Sequence, residues 1–369
     1  MATAILPFFL TLGLGYSAAT LGLIEGLSDG ASSFVKPVSG YLSDRYRRRK
    51  PPINVGYGLT GLLIPAIGLS SNWIHVAILR LGGWIGRGMR GAPRDALLAD
   101  SVDSNAHGRA FGFHRAMDTV GATVGPAMAL VFLATLEYRE IFYLTAIPGI
   151  AALIIVLLFV KEHRTTKAPG STESPSMIKT VRGLPGTFKL FLIGVGLFGI
   201  SNFANSLFSL RAQQVLAPSM GSANATMLAI ALYTLLNFVY ALACVPIGVL
   251  GDKIGKRPVL VTGYLLSAVT CLATAYLSAD LLVVAVIFAT AGIFTAVTET
   301  TEGAFAADLL ASEVRGTGFG MLHTVNGIGD LVSSAIVGVL WVTLSPAIAF
   351  EYSAALSASG AFVLFLVTR

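Results

Sequence analysis

Charged side chains are scarce in this sequence, because Asp, Glu, Lys and Arg together make up only 12% of its 369 residues. Soluble domains carry about 25% charged residues, so this composition excludes an ordinary water-soluble fold. Cysteine is rarer still: Cys244 and Cys271 both fall in apolar segments, which favours packing roles over a disulfide or a metal site. The sequence also lacks a Gly-x-x-x-x-Gly-Lys-Ser/Thr loop and a nucleophile–base pair. We therefore expect no ATP hydrolysis, no enzyme, no metal and no cofactor.

Apolar segments of about 20 residues recur along the whole chain, each long enough to cross a ~30 Å hydrocarbon core. Hydrophobic residues make up 54% of the sequence. The alternating strands of a membrane barrel are absent, so helices are the remaining way to satisfy the backbone inside lipid. The sequence predicts an all-α polytopic membrane protein, with spans at about 2–14, 20–42, 53–70, 73–95, 108–134, 140–160, 187–211, 224–250, 259–278, 280–305, 317–343 and 346–367.

Lysine and arginine cluster in alternate loops, and the intervening loops near residues 15–19, 70–72, 278–280 and 344–346 have none. The basic loops lie at 45–50, 87–94, 161–182 and 253–257. This positive-inside pattern predicts a multi-pass protein of the inner (plasma) membrane whose basic loops are cytoplasmic and touch membrane lipid. The net charge of +6 therefore reflects topology, and no nucleic-acid partner is expected. The apolar start has no basic region before it, so we expect no cleaved signal peptide.

A charged loop motif appears twice. Residues 40–51 read GYLSDRYRRRKP and residues 248–258 read GVLGDKIGKRP, so that Gly40 and Gly248 lie 208 residues apart. An internal duplication with parallel halves is one way in which transporter folds are built. The same offset relates further pairs, Asp100 with Asp308 and GRAFG (108–112) with GTGFG (316–320).

The segment GATVGP adds a third motif, with Gly121, Gly125 and Pro126, and it resembles the fifth-helix motif of antiporters. With the paired loop motif, it makes the chain resemble a drug/proton antiporter of the major facilitator superfamily over essentially its whole length. The resemblance implies a monomer with a small-molecule substrate and protons as partners. It also implies two pseudo-symmetric six-helix bundles and a cytoplasmic linker, at 1–160, 187–369 and 161–186 respectively.

The repeat further predicts that the first helix is truncated. Residue 1 aligns with Ser209, so the second-half segment 188–208 has no counterpart in the first half. The apolar stretch 2–14 is shorter than the roughly 20 residues that a span needs. We therefore expect 11 full spans and a partial one.

The loop-motif aspartates are predicted to form a conformational latch. In the family this carboxylate lies at the start of the eleventh helix, where free N–H groups and the helix dipole attract an anion. Asp44 is therefore expected at GTGFG and Asp252 at GRAFG, in contacts that form only while the cytoplasmic side is closed. A plain tight turn is the alternative. Arg47 stands where the second motif has Gly255, so the first turn is expected to be less well formed.

Carboxylates at membrane depth are costly and normally face a cavity or a partner. Glu25 and Asp29 lie four residues apart on one face of the second span, which suits them to carry protons or cations. A buried polar patch that pairs with another helix is the alternative. Asp330 has no obvious local partner and is a second-rank coupling candidate.

The fourth span carries arginines at a spacing of seven, and the 208-residue offset sets glutamates of the tenth span against them. Because these two helices approach each other in the family, we expect an ion-pair gate formed by Arg87, Arg90, Arg94, Glu299 and Glu302. Snorkelling to the headgroups is the alternative for Arg94. Substrate contacts are expected from Arg80, which could bind an anionic group, and from Asn202 and Asn205.

Together these features favour a secondary active transporter that works by alternating access, with proton-coupled efflux of a small molecule. Two alternatives stay open. One is a non-transporting membrane sensor or scaffold that retains the fold, and the other is an importer of a small anionic solute.

Overall fold

The computed structural model describes residues 1–16, 18–162, 176–203 and 205–366. Within these ranges the chain is helical and forms no β-strand. The linker predicted at 161–186 falls partly on residues 163–175, which lie outside the described residues. Its later part includes a short helix, α8, at Met177–Gly183.

The helices begin and end as follows. They are α1 Ala2–Phe8, α2 Ala18–Arg45, α3 Lys50–Ala66, α4 Trp73–Asp100, α5 His107–Phe132, α6 Tyr138–Leu144, α7 Ala146–Phe159, α8 Met177–Gly183, α9 Gly186–Gly199, α10 Ser206–Met220, α11 Ser222–Ile254, α12 Lys256–Ala275, α13 Leu281–Leu309, α14 Arg315–Thr343 and α15 Pro346–Leu366.

Many of these helices can cross a bilayer. Among the described residues, seven segments are long and apolar enough, and α8 with α9 would add an eighth across a 93° bend. A π-helical turn, Phe9–Gly13, follows α1. The all-α polytopic class predicted from composition is therefore confirmed.

The 208-residue repeat reappears in the positions of helix starts. Asn72 caps α4 by accepting the His75 N–H at 2.9 Å, and Asp280 caps α13 by accepting the Leu282 N–H at 2.8 Å. Such side-chain caps satisfy amides that the first turn leaves free. The start pairs that keep the offset are Trp73 with Leu281, His107 with Arg315, and Tyr138 with Pro346.

Two spans predicted as continuous are interrupted. The span predicted at 140–160 is present as the single apolar segment Tyr138–Phe159, but its helical hydrogen bonding is interrupted at Thr145, because Pro148 has no N–H to donate to the carbonyl of Leu144. The span at 187–211 ends at Gly199 and resumes at Ser206. Polar side chains compete for the backbone at this second break, where the Ser201 hydroxyl donates to the Phe198 carbonyl.

The chain divides into two compact units. Unit 1 comprises Met1–Ser101, Gly121–Leu184 and Ala311–Thr324. Unit 2 comprises Val102–Val120, Pro185–Leu310 and Val325–Arg369. Each unit therefore includes the start of one long helix, α14 or α5, from the other half of the sequence repeat.

Each unit has its own aromatic core. In unit 1 the rings of Phe9 and Phe142 pack edge to face with centroids 5.3 Å apart. In unit 2 the Phe208 ring lies 5.6 Å from Phe350 and 6.4 Å from Phe288. Aromatic pairs at these separations add about 0.5–1.5 kcal/mol beyond area burial.

Candidate functional site

The Asp44 carboxylate caps the start of α14 within unit 1. Its carboxylate accepts the Gly316 N–H at 3.0 Å and the Thr317 N–H at 2.5 Å, and it accepts the Thr317 hydroxyl at 2.6 Å. These amides belong to the first turn of α14, which has no earlier carbonyl to bind them. Asp44 lies beyond the second predicted span, and burial raises its pKa above the ordinary value, whereas Arg49 and Thr317 lower it.

Arg49 joins this contact to a second carboxylate. Its guanidinium hydrogen-bonds Asp44, donates to the Ser312 carbonyl at 2.6 Å, and lies 3.5 Å from Asp100. Asp100 also pairs with Arg315, the first residue of α14, at 2.6 Å. Two carboxylates and two guanidinium groups therefore surround one helix start.

Asp252 makes the equivalent contact within unit 2. It accepts the N–H groups of Gly108 at 2.7 Å and Arg109 at 2.9 Å, in the first turn of α5. Lys256 lies 3.4 Å from Asp252 and 2.9 Å from Asp308. The repeat thus places an aspartate at a helix start twice, in the positions that the loop motif predicts; the role as a latch stays a prediction.

Glycines let the backbones meet at both contacts. A Cβ added at Gly316 would lie 2.5 Å from the Gly40 carbonyl oxygen. A Cβ added at Gly108 would lie 2.2 Å from the Gly248 carbonyl oxygen. Real Cβ atoms do not approach this closely, so any side chain at these positions would push the segments apart.

The two loop turns differ in length and strain. A single residue, Gly255, joins α11 to α12 with φ of +99°, whereas residues 46–49 join α2 to α3. Arg47 adopts φ of +51°, the left-handed region that glycine occupies more easily. The first turn nevertheless forms, because the Arg48 N–H donates to the Ser43 carbonyl at 3.1 Å.

Glu25 and Arg80 form an ion pair in unit 1. Arg80 Nη2 donates to both carboxylate oxygens, at 2.8 and 2.9 Å. The Arg80 side chain is only 1% exposed, and its guanidinium stacks 3.3 Å over the Trp84 ring. A coupling role is predicted for Glu25 and a substrate role for Arg80, and the structure brings the two together.

Asp29, one turn after Glu25 on α2, forms a hydrogen bond with a neutral side chain. The Trp84 indole N–H donates to its carboxylate at 2.6 Å. Trp84 therefore links Asp29 to the Glu25–Arg80 pair, since the Arg80 guanidinium covers the same ring. Sequence reasoning missed Trp84, although its position four residues after Arg80 places it on the same helix face.

The other arginines of α4 have their own neighbours in unit 1. The Arg87 guanidinium lies 5.5 Å from the Trp84 ring, and that of Arg90 lies 4.3 Å over the Tyr57 ring. Arg94 pairs with Asp95 at 3.2 Å, and Asp95 also contacts His323 at 2.9 Å.

The glutamates of α13 have partners within unit 2, and the ion-pair gate stays a prediction. Glu299 pairs with Arg115 at 3.5 Å. Glu302 accepts the Tyr264 hydroxyl at 2.6 Å and the Asn326 amide at 2.9 Å. The 208-residue offset gives equivalent positions along a helix, but it does not decide toward which neighbour each side chain turns.

A polar cavity of about 330 Å³ lies within unit 2. It is lined by Asn202, Asn205, Glu299 and Asp330 together with hydroxyl groups of α13 and α14. The Asn202 amide donates to Asp330 at 3.0 Å. The break between α9 and α10 brings both asparagines to this cavity, so residues predicted for substrate, coupling and gate share one site.

The antiporter-like motif lies within α5, which continues through Pro126. A Cβ added at Gly125 would lie 2.8 Å from the Met1 nitrogen, so a neighbouring segment comes close there. At Gly121 no described heavy atom lies within 4 Å of that position. Close packing is therefore present at one of the two motif glycines.

Several contact residues were not predicted from the sequence. His107 begins α5 and lies 2.8 Å from Asp308, just as Arg315 begins α14 and pairs with Asp100. The repeat relates His107 to Arg315, so it could have identified them. Arg49 has no such signal, because the extra residues of the first turn shift it out of the offset.

Known proteins resemble this chain along its length. The sequence model of the Major Facilitator Superfamily matches residues 1–230 and 196–369. An uncharacterized MFS-type transporter of Methanocaldococcus jannaschii is 34% identical over 99% of this chain and 90% of its own length. The multidrug resistance protein MdtG of Escherichia coli is 23% identical over 72% of this chain and 65% of its own.

Solved structures share the fold. The transporter FucP, in an outward conformation, gives a TM-score of 0.80 at 11% identity and covers 100% of this chain and 94% of its own. The proton:xylose symporter XylE gives 0.74 at 14% identity, with 100% and 90% covered.

Proposed function

Because this chain belongs to the Major Facilitator Superfamily and is therefore a multi-pass membrane transport protein, we propose that it exports a small solute in exchange for protons. It works as a monomer in the inner membrane, with its loop motifs on the cytoplasmic side. Alternating access around one solute site is the mechanism.

The observation that carries this proposal is the cavity of unit 2. Its volume of about 330 Å³ matches a small solute, since ligand cavities begin near ~300 Å³. Two amides and two carboxylates converge on it, so the solute is one that offers hydrogen-bond donors or positive charge. Asn202, Asn205 and Asp330 bind it.

The two aspartate contacts serve as the latch of the cycle. Each joins a loop motif of one sequence half to a helix start of the other half, through two backbone amides. A carboxylate bound at a helix start can release it without covalent change, so the contact can form and break in every cycle. Asp44 and Asp252 hold the cytoplasmic side closed.

Proton coupling runs through Glu25 and Asp29. The Glu25 side chain is 30% exposed, so helix packing leaves it open to a proton, and Arg80 is its counter-charge. Protonation of Glu25 would remove its charge and break the ion pair with Arg80. The exchange direction is supported by the similarity to a multidrug resistance protein.

A flux measurement tests the proposal. The purified chain is first screened for solutes that raise its melting temperature, and the binders are then loaded into proteoliposomes with an imposed pH gradient. We expect proton-driven efflux in the wild type and its loss in Glu25→Gln or Asp29→Asn. Asp103→Asn is the matched control, because Asp103 is an exposed loop residue.

The outcomes separate the alternatives. Flux that is unchanged in both coupling variants would remove the proton assignment, and uptake in place of efflux would reverse the direction. A chain that binds solutes but moves none would be a sensor or scaffold. Import of an anionic solute through Arg80 has less support, because Glu25 neutralises that charge.

A further inference from the structure

Glu302 is buried in unit 2 among neutral hydrogen-bond donors. Tyr264 donates its hydroxyl to Oε1 at 2.6 Å, and Asn326 donates its amide to Oε2 at 2.9 Å. Glu302 is 7% exposed, and it forms no salt bridge within the part of the chain that the structure describes. Each carboxyl oxygen thus has one neutral partner and no cation.

The charged groups around Glu302 are themselves negative. Glu299 lies one turn away on the same helix, and Asp330 projects from α14; both act on Glu302 electrostatically. Arg115 of α5, a cation in this region, is bound to Glu299 through its carboxylate at 3.5 Å and its carbonyl at 3.2 Å. Two nearby carboxylates therefore oppose a further negative charge.

Several described neighbours of α13 near Glu302 are neutral. Helix α12 presents Tyr264, whose ring stacks on Phe198 of α9 at 3.9 Å. Helix α5 presents the Phe111 ring against Gly303. Helix α11 contributes neutral groups close to Glu299, the Tyr240 phenol and the Cys244 thiol.

A buried carboxylate with only neutral donors is unfavourable at membrane depth. Charges there cost at least ~2.5 kcal/mol, and proteins normally pair them with an opposite charge. One bound proton removes the charge while the carboxyl keeps both contacts, because its carbonyl oxygen still accepts and its O–H can donate to the Tyr264 oxygen. The geometry thus fits a neutral carboxyl.

The cavity offers a route for the proton. Glu299 and Glu302 are three residues apart on α13, and Asn326 and Asp330 are four apart on α14, so each pair shares a helix face. Glu299 and Asp330 line the cavity, and Asn326 holds Glu302. Solute that enters the cavity therefore changes the surroundings of Glu302 through both helices.

We propose that Glu302 is a proton-binding site of the transport cycle, held by Tyr264 and Asn326 beside the solute cavity. A carboxylate oxygen of Glu302 takes the proton from cavity water before solute binds, and the proton returns to cavity water when solute rearranges Asp330 and Asn326. The inference rests on the proposed transport function, and it assigns Glu302 to proton binding instead of an ion-pair gate.

Difference infrared spectroscopy tests this proposal without any substrate. The full chain, reconstituted in liposomes, is compared between neutral and alkaline pH, and the C=O band of protonated carboxyls is measured. We expect a band at neutral pH that Glu302→Gln removes. Tyr264→Phe should shift the band to higher wavenumber, because the carboxyl then has one hydrogen-bond partner fewer.

Glu299→Gln is the matched control, since this carboxyl lies one turn away but is paired with Arg115. The band should survive in Glu299→Gln. A band that is unchanged in Glu302→Gln, or one that vanishes with Glu299→Gln instead, would overturn the proposal. If Glu302→Gln does not fold, Tyr264→Phe still tests the proposal. A band that does not shift in Tyr264→Phe would also overturn the proposal. The result does not depend on flux, so a failure of the proposed transport function would be seen separately.

Discussion

Asp252 and Gly108 are joined by a 2.7 Å hydrogen bond from the glycine amide to the carboxylate, although 144 residues separate them. Asp44 and Gly316 repeat this relationship at 3.0 Å across 272 residues. Two long-range contacts of the same chemistry, generated by one duplicated motif, can be weakened separately by single substitutions.

Asp252→Asn should lower the stability of the protein by about 1–3 kcal/mol. The substitution removes the negative charge of a carboxylate that accepts two backbone N–H groups in the first turn of α5. Hydrogen bonds to charged groups contribute stability of this order. Thermal unfolding in detergent measures the effect. Asp103→Asn, in an exposed loop nearby, should change stability by less than about 0.5 kcal/mol. Equal effects of the two substitutions would contradict the contact.

Gly316→Ala and Gly91→Ala should have opposite signs. An added methyl at Gly316 meets the Gly40 carbonyl oxygen at 2.5 Å, and overpacking of this kind costs about 1–3 kcal/mol. At Gly91, within α4, no heavy atom of the described residues lies within 4 Å of the added methyl. Helix propensity should therefore stabilise Gly91→Ala by up to about 1 kcal/mol. The melting temperature of each variant measures the change in stability. A Gly316→Ala variant as stable as the wild type would contradict the close approach of Gly316 to Gly40.

Arg47→Gly should be tolerated better than Arg48→Gly by about 1 kcal/mol. Only Arg47 has the left-handed φ of +51°, where an L-residue is strained and glycine is not. Both variants lose an arginine and gain the same backbone freedom in the unfolded chain. The difference between their free energies of unfolding therefore measures the backbone strain at Arg47. Urea unfolding curves of the two variants measure it. No difference would show that the turn relaxes around Arg47.

A double-mutant cycle on Glu25 and Arg80 should give a coupling energy of about 1–3 kcal/mol. Glu25→Gln leaves the buried Arg80 guanidinium without its carboxylate partner. In the double variant, Arg80→Gln removes the guanidinium, so no buried charge is left unpaired. Thermal unfolding of both single variants and the double variant supplies the cycle. The control cycle pairs Glu25→Gln with Arg182→Gln in α8, for which the coupling should be near zero. Additive effects at Glu25 and Arg80 would mean that the pair contributes little.

Composition and patterning predicted a large share of the fold. Apolar length and scarce charge required membrane helices, and the duplicated loop motif predicted the equivalence that the starts of α4 and α13 now show. The interruptions were missed, because hydropathy averages over a span. Pro148 breaks α6 from α7 through a single missing N–H, which such an average does not register.

The candidate site could be predicted only in part. Asn202, Asn205, Glu299 and Asp330 were each identified as polar groups at membrane depth, but nothing in their spacing showed that they line one cavity. That arrangement depends on the break between α9 and α10 and on the rotation of α13 against α14. Both are outcomes of side-chain packing between helices, which residue spacing along one helix does not specify.

The sequence by itself determined what must be buried, which residues are equivalent and where carboxylates are costly, because these follow from the local chemistry of lipid and helix. The tertiary structure decided which groups meet. Arg80 binds Glu25 and Glu302 binds Tyr264, and such choices depend on how each helix is turned toward its neighbours. A linear pattern fixes the face of a helix, but only packing fixes what that face touches.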